Sequence, residues 1–295
     1  MKDRMKSQIA TTRQAIEIAL RQYLPSANGR DNQISKAIEY IVSAPGKRLR
    51  PVLMLEIARC LGFASEQIMP SACAIEYIHT SSLLLDDLPC MDDAKVRRGQ
   101  PTVHLAFNEY TAILASIALL MEAFALIARN AKQLNVPQAG IADLVSDTAQ
   151  TIGLKGMIVG QYLDLSLEDS HLEQQQVDYI HDHKTTVLFE ASVNIACTLC
   201  GVERQIRDAL VEYGRTIGRA FQIADDILDA SDEVQPRSKD KHKDAGKTTY
   251  VNLLGIEGSK KRLHVLVETA VEAVQVVPSN ENLQVLARYI EEQVS

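Results

Sequence analysis

The sequence lacks the features that mark exported, membrane-spanning and nucleic-acid-binding proteins. Its first 20 residues contain no apolar segment and no cleavage pattern, so we expect no secretory signal. No run of about 18 uncharged apolar residues occurs, which predicts no membrane span. The formal net charge of −7 disfavours nucleic acid as the main partner. These absences lead us to expect a protein of the cytoplasm, and 46% hydrophobic residues supply a large core.

Cysteine is also scarce. The count of five is odd, which in a chain without an export signal predicts reduced thiols in a cytoplasm. Cys197 and Cys200 form a CxxC pair, a spacing that zinc and redox sites also use. No second Cys/His pair accompanies it, and the segment has the pattern of a helix interior. We therefore interpret both residues as packing thiols.

The strict alternation of apolar and polar residues that marks β-strands is scarce as well, whereas helical periodicity covers most of the chain. No low-complexity linker or repeat interrupts it, so we predict one all-α domain over residues 1–295 with about ten helices. Residues 233–249 are polar and basic, and they predict a long loop of the lid or binding type. The predicted helices cover residues 5–23, 31–44, 50–61, 66–88, 109–131, 138–165, 173–200, 204–232, 259–276 and 281–294.

The most informative segment is the acidic one that follows an apolar helix near residue 86. Because Pro89 disfavours helix in the residue before it, that helix should end near Asp87 or Leu88. Asp86 and Asp87 then lie at a helix C-terminus, where the dipole disfavours each acid by roughly 0.3–1 kcal/mol, and Asp92 lies just beyond it. A solvated acidic turn is the simpler alternative. We favour a metal site, because Mg²⁺ prefers carboxylate oxygens and because electrostatic strain often marks function.

A second acidic cluster lies in residues 220–233, at the end of the predicted helix 204–232. Its apolar stripe faces away from a polar side that carries Gln222, Asp225, Asp226 and Asp229. Taken alone, this side is more simply a solvated helix face, although like charges four residues apart destabilise a helix. The two clusters, DDxxxxD and DDxxD, recur about 140 positions apart. Together they predict two carboxylate groups that face one cavity and hold Mg²⁺ around a diphosphate.

Cationic residues occur in short groups near these clusters. Lys47 and Arg50 open one predicted helix, a natural phosphate site, and Arg97 and Arg98 follow the first acidic cluster. Lys184 and Thr185 lie in the segment HDHKTT. Its two histidines also allow a transition-metal site, but we favour contact with solvent or a diphosphate.

One short segment imitates a nucleotide-binding motif. Gly246-Lys247-Thr248 resembles the end of a P-loop, but Lys241 stands where that motif needs glycine. The helical context is also wrong, so we reject a nucleotide triphosphatase.

At this point the sequence resembles the trans-isoprenyl diphosphate synthase family, also called polyprenyl synthetases. Both aspartate motifs are complete, and the matching pieces run in family order across about 200 residues. They are GKRLRP (46–51), DDLPCMDDAKVRRG (86–99), GQYLDL (160–165), HKT (183–185), FQIADDILD (221–229) and DAGKTT (244–249).

The resemblance implies an orthogonal bundle of helices around a central cavity, usually as a homodimer, and about three Mg²⁺ ions per site. It also implies a reaction in which an allylic diphosphate ionises, isopentenyl diphosphate attacks the cation and a proton is lost. By the same resemblance, the residues that bind Mg²⁺ are Asp86, Asp87, Asp92, Asp225, Asp226 and Asp229. Those that bind isopentenyl diphosphate are Lys47, Arg50, His79 and Arg98. Those that bind the allylic diphosphate are Arg97, Lys184, Lys239 and Lys247, and Thr185 and Gln222 lie beside the cation.

Within the family, the sequence is most similar to carotenoid-pathway geranylgeranyl diphosphate synthases. Ser81 stands where farnesyl synthases of the family often carry a bulky aromatic, and Ser82 follows it. Two small residues below the metal site predict a C20 product from dimethylallyl, geranyl or farnesyl diphosphate. Alternatively, both serines are simply packing residues of the helix.

Three alternatives to a C20 synthase remain. A farnesyl diphosphate synthase would use the same chemistry and stop at C15. A non-catalytic subunit that binds prenyl diphosphates would not need the complete aspartate motifs and the retained cations. A class I terpene cyclase would not need GKRLRP and RRG, which indicate a site for a second diphosphate.

Overall fold

This computed structural model describes residues 2–25, 32–167, 172–231 and 249–294. The described residues are mostly helical, which confirms the predicted all-α class. Their helices are α1 (Lys2–Gln22), α2 (Gln33–Val42), α3 (Leu49–Cys60), α4 (Met69–Asp86), α5 (Val103–Ala106), α6 (Glu109–Gln133), α7 (Gln138–Ile152), α8 (Met157–Ser166), α9 (Gln174–His181), α10 (Val187–Leu199), α11 (Arg204–Ala230), α12 (Tyr250–Ala273) and α13 (Glu281–Glu291). A small antiparallel hairpin joins β1 (Val96–Arg97) to β2 (Gln100–Pro101).

Two segments that we predicted as single helices are divided. Residues 138–165 separate into α7 and α8 at a turn that contains Gly156, where an added Cβ would lie 1.9 Å from the carbonyl oxygen of Thr151. Residues 173–200 separate into α9 and α10 at a π turn, Asp182–Thr186. No proline marks either division, so the sequence pattern alone did not reveal it.

Helix α12 begins at Tyr250 rather than near residue 259. The prediction missed its first turns because Gly255 and Gly258 together have the pattern of a helix break. Gly255 does adopt a positive φ of 69° and kinks the helix. Apart from Thr249, the loop predicted over 233–249 lies outside the described residues.

Helix α4 lies at the centre of the bundle, in contact with α1, α3, α6 and α10. Its Tyr77 is fully buried and donates a hydrogen bond to the carbonyl oxygen of Leu20 in α1 at 2.6 Å. Likewise Tyr213 in α11 is buried and donates to the carbonyl oxygen of Leu283 in α13 at 2.6 Å. Both hydroxyl groups are therefore buried without losing a hydrogen bond, and the two helices that carry the acidic clusters are firmly held.

One described helix, α6, is long and apolar enough to cross a membrane by length and composition. Glu122 interrupts its sequence, and one face packs along α4. Its other face carries an exposed apolar stripe at helical spacing: Tyr110, Ile113, Leu114, Ile117 and Met121.

The cysteines agree with the packing interpretation. All five are free thiols, and Cys197 is completely buried in α10. Burial raises the pKa of Cys197 to about 11, and burial also raises the pKa of Cys200 to about 12. Neither thiol is therefore activated as a thiolate near neutral pH.

Candidate active site

The first acidic cluster begins where Pro89 was predicted to end the helix. Helix α4 ends at Asp86, and Asp87 is its C-cap residue. The chain then turns back, because the backbone N–H of Asp92 donates to the carbonyl oxygen of Asp86 at 2.9 Å. This turn brings Asp92 close to Asp86, whose carboxyl feels its charge.

Asp86 carries the electrostatic strain of this cluster. Burial raises the pKa of its carboxyl to about 6, and the charges of Asp92 and Asp87 add to the shift. The cations Lys184 and Arg97 oppose the shift without cancelling it. The position therefore favours additional positive charge, as a metal-binding carboxylate does.

Asp87 is paired with an arginine. It is 2% exposed, and its Oδ1 accepts from Arg97 Nε at 3.0 Å and from Nη2 at 2.5 Å. Burial opposes the charge of Arg97, but the hydrogen bond and charge of Asp87 outweigh it and raise the pKa of Arg97. The pair fixes strand β1 beneath the end of α4, so Arg97 is already engaged by a residue that we also predicted to hold metal.

The second acidic cluster divides in a similar way. The Asp225 side chain is 27% exposed and lies 3.8 Å from Lys47 Nζ, whereas Asp226 is buried. Asp226 accepts from Gln222 Nε2 at 2.9 Å and from the backbone N–H of Tyr250 at 3.0 Å. Asp229 lies one turn beyond Asp225 and is exposed. Asp226 therefore ties the first turn of α12 to α11.

A chain of hydrogen bonds extends from Asp226 to the π turn. Thr185 donates from Oγ1 to Gln222 Oε1 at 2.7 Å, and Gln222 donates in turn to Asp226. These contacts bring together Thr185 and Gln222, the two residues predicted beside the developing cation. The amide of Gln222 is fixed in orientation because both of its ends are bonded.

Cations lie beside both clusters. The charge of Lys184 lowers the pKa of Asp86, and Lys47 Nζ lies 3.8 Å from the Asp225 carboxylate. Burial lowers the pKa of Arg50 to about 10, an effect that the charges of Glu76 and Asp225 partly oppose. Residues from α3, α4, the π turn and α11 therefore form one connected cluster of charges, which we call the charged centre.

The segment GKRLRP presents its cations in two directions. Arg50 lies over the rings of Phe189 and Phe221, 4.5 and 5.8 Å from their centroids, and Lys47 lies 5.2 Å from that of Phe221. Arg48, by contrast, points away and is fully buried against Glu17 and Glu76. This explains why Lys47 and Arg50, rather than Arg48, face the charged centre.

The donor set suits Mg²⁺. In the four described ranges, no group of three or more His, Cys, Asp or Glu side chains is arranged to hold a metal ion by itself. Mg²⁺ does not require one, because it is usually held by one or two carboxylates together with substrate phosphates and water. Asp86 and Asp225 fit that role, and two of the predicted cations, Lys239 and Lys247, lie outside the described residues.

Comparison with known proteins identifies the family. A family model for polyprenyl synthetases matches residues 31–282. The chain belongs to the polyprenyl synthetase family. A geranylgeranyl diphosphate synthase of Pantoea ananas is 40% identical over 259 residues, covering 87% of this chain and 83% of that one. As a polyprenyl synthetase the protein is a prenyltransferase, as the sequence predicted.

Solved structures agree with this assignment. An apo FPP/GFPP synthase from Zymomonas mobilis has a TM-score of 0.86 at 31% identity, covering 99% of this chain and 100% of that one. A geranyltransferase from Helicobacter pylori, complexed with magnesium and isoprenyl diphosphate, has a TM-score of 0.83 at 29% identity over 97% of this chain and 96% of that one. The polyprenyl synthetase fold therefore extends over nearly the whole chain.

The π turn of this polyprenyl synthetase is packed unusually tightly. A Cβ on Gly160 in α8 would lie 2.3 Å from the backbone nitrogen of Lys184. On the other side, a Cβ on Gly218 in α11 would lie 2.9 Å from the Cα of Thr186. Both glycines allow a helix to approach the backbone of the turn, which fixes Lys184 and Thr185.

Sequence reasoning missed two acidic partners. Asp164 in α8 binds Lys184 Nζ at 2.6 Å, and Glu76 in α4 accepts hydrogen bonds from Arg48 and Arg98. Asp164 stands one turn after Gly160 in a motif that we had already singled out. Glu76 precedes His79 by three residues, so helical spacing alone places it on the same face.

We interpreted His181 as a contact with solvent or a diphosphate, and the structure places it elsewhere. It is buried beside Tyr250, with 5.2 Å between the ring centroids, and burial lowers its pKa to about 4. His183 stacks on Tyr179 instead, at 4.0 Å. Within the part of the chain that the structure describes, neither histidine belongs to a metal-ligating group.

The two serines predicted to set chain length have different surroundings. Ser81 is buried, and its carbonyl oxygen accepts from Ser116 Oγ of α6 at 2.8 Å. Ser82 is half-buried and lies on the face of α4 that carries His79 and Asp86. Both hydroxyls donate within α4, to the carbonyl oxygens three residues earlier. The polar atoms of both serines are therefore satisfied by the helix.

Proposed function

We propose that this polyprenyl synthetase condenses isopentenyl diphosphate with an allylic diphosphate and releases mainly geranylgeranyl diphosphate. The observation that carries the proposal is the charged centre, in which two carboxylate clusters share one neighbourhood with two groups of cations. Two diphosphates need two cationic sites, and a terpene cyclase needs only one. The name of the Pantoea ananas relative supports the C20 product.

Magnesium is the metal that fits the donor set. We propose that Asp86, Asp87 and Asp92 hold it at one cluster, with Asp225, Asp226 and Asp229 at the other, at about three ions per site. When bound, Mg²⁺ neutralises the diphosphate and makes it a better leaving group. The Helicobacter pylori neighbour, described as a complex with magnesium, supports this choice.

The protein's own residues bind and orient the two substrates and shield them from water. Lys184 and Arg97 bind the allylic diphosphate, with Lys239 and Lys247 as further ligands, and Lys47, Arg50, His79 and Arg98 bind isopentenyl diphosphate. As the allylic C–O bond breaks, the oxygens of Thr185 and Gln222 lie beside the positive carbon. The isopentenyl double bond forms the new C–C bond, and a proton passes to the departing diphosphate. Exclusion of water protects the cation from hydrolysis.

We assign control of product length to the turn of α4 that precedes Asp86. Small side chains at Ser81 and Ser82 leave room for a C15 chain to grow to C20. Replacing Ser81 with Phe should shift the main product towards C15, because a ring there fills the space below the metal site. A Ser81→Phe variant that makes C20 at the normal rate would refute this assignment.

We also propose a homodimer of single-domain subunits in the cytoplasm. The apolar stripe on α6 supports the dimer, since exposed apolar patches commonly mark interfaces. Replacing Ile117, which is 50% exposed, with Glu should weaken association without unfolding the subunit. Analytical ultracentrifugation of Ile117→Glu against the wild type tests this, with Ile18→Glu, at an exposed position of α1, as the matched control. A monomeric wild-type protein would contradict the dimer.

A product assay tests the proposed function directly. Purified protein, Mg²⁺ and labelled isopentenyl diphosphate are incubated with dimethylallyl, geranyl or farnesyl diphosphate, and the dephosphorylated products are sized by chromatography. A C20 product supports the proposal in full. A C15 endpoint, which the FPP/GFPP synthase neighbour makes worth testing, retains the chemistry and rejects the chain length. No extension of any starter would favour a regulatory subunit.

A further inference from the structure

Glu76 is a buried carboxylate that the proposed chemistry does not use. It lies in α4, one helical turn before His79, and only 2% of it is exposed. Its Oε1 accepts from Arg48 Nη1 at 2.5 Å and from Arg98 Nη2 at 3.2 Å. A carboxylate is rarely buried unless it is paired, so these two arginines account for its presence.

Arg48 is fully committed to this arrangement. Its side chain is completely buried and also donates to Glu17 of α1 and to the carbonyl oxygens of Val42 and Ala44 at the end of α2. Its backbone adopts a left-handed conformation with φ of 49°, which sets the direction in which α3 begins. Arg48 therefore anchors the GKRLRP segment and leaves the binding of ligands to its neighbours.

Arg98 has one end anchored and one end available. Its backbone is also left-handed, with φ of 54°, and Nη2 is held by Glu76. Its Nη1 is buried and has no hydrogen-bond partner among the described residues. Nε of Arg50 is likewise buried and has no hydrogen-bond partner among the described residues. Buried guanidinium donors normally have partners, so these two nitrogens indicate a ligand with several acceptor oxygens.

We propose that Glu76 is a positioning residue for the second diphosphate site, tying the GKRLRP segment to the β1–β2 hairpin so that Arg50 and Arg98 converge on one phosphate-bearing ligand. This rests on the proposed function, which makes that ligand isopentenyl diphosphate. One carboxylate bonded to two arginines fixes the separation of two segments about 50 positions apart in sequence. It also reduces the repulsion among the clustered cations when no ligand is bound.

Replacing Glu76 with Gln tests the proposal, because the variant keeps the shape and loses the charge. We expect KM for isopentenyl diphosphate to rise about tenfold or more, the scale of a hydrogen bond to a charged group. KM for the allylic substrate and the Mg²⁺ requirement should stay near the wild-type values. Calorimetric titration with isopentenyl diphosphate alone should show the same weakening without turnover.

Glu56 provides a matched control. It is also a fully buried glutamate, paired with Arg59 and bonded to Thr12 and Asn282, but it faces α1 and α13. Glu56→Gln should lower the melting temperature while both KM values stay unchanged. If Glu76→Gln merely lowers stability in the same manner, or raises both KM values equally, Glu76 is a structural residue and the proposal is wrong.

A second variant keeps the test decisive if Glu76→Gln does not fold. Glu76→Asp retains the charge but withdraws it by one methylene, so a smaller rise in KM for isopentenyl diphosphate alone is expected. An unchanged KM in a folded Glu76→Asp variant would overturn the proposal. Failure of the wild-type enzyme to extend any starter would instead reject the proposed function, since that outcome does not depend on Glu76.

Discussion

The two aspartate clusters solve the same electrostatic problem with different partners. In each, two adjacent carboxylates would repel one another, and in each the second member is buried and held by the protein. Asp87 is held by the guanidinium of Arg97, whereas Asp226 is held by an amide and a backbone N–H. Of the first members, Asp86 lies within the field of Lys184, and Asp225 lies 3.8 Å from Lys47 Nζ. The comparison teaches that adjacent aspartates in such a motif have unequal roles.

The largest expected effect comes from removing the charge of a first member. Asp225→Asn should reduce kcat about 100- to 1,000-fold, because it removes a preorganised charge at the metal and diphosphate. Its melting temperature should hardly change, since the residue is partly exposed. Steady-state kinetics at saturating Mg²⁺ measure the first effect and calorimetry measures the second. Full activity in Asp225→Asn would remove Asp225 from the site.

Asp226 should affect stability more than Asp225 does. Asp226→Ala leaves the backbone N–H of Tyr250 and the amide of Gln222 without their acceptor, which costs about 1–3 kcal/mol of unfolding free energy. Denaturant unfolding of Asp226→Ala and Asp225→Ala measures the difference. Equal losses of stability in the two variants would contradict the division between the members of each pair.

The third expected effect is a dependence of stability on pH that arises from Asp86. Its pKa is raised to about 6 in the fold from 3.8 in the unfolded chain, so protonation favours the folded state. Without metal, stability should therefore fall by about 1–3 kcal/mol as pH rises from 4 to 6. Urea unfolding with chelator at several pH values tests this, and Asp86→Asn should flatten the profile. Mg²⁺ binding should weaken below about pH 6, because protons then compete for the carboxylate.

Much of this arrangement was predictable from local rules. Pro89 predicted the end of α4, and helical spacing predicted the polar side of α11. The metal chemistry of the two motifs stays a prediction. The π turn was not predictable, because no glycine or proline marks it in the sequence and because it depends on close contact with Gly160 and Gly218. The partners Glu76 and Asp164 were missed for a related reason. Each is an ordinary acid in its own helix and acquires its role only through a residue far away in sequence.

The π turn also makes the site sensitive to chain length as well as to residue identity. A helix advances by about 100° per residue, so a turn with one extra residue shifts the facing of everything attached to it. Deleting His183, between Asp182 and Lys184, would leave every predicted site residue in the sequence, yet rotate Lys184 and Thr185 away from Asp164 and Gln222. In this enzyme, single-residue insertions and deletions near position 184 therefore belong with active-site mutations, even when they spare every motif.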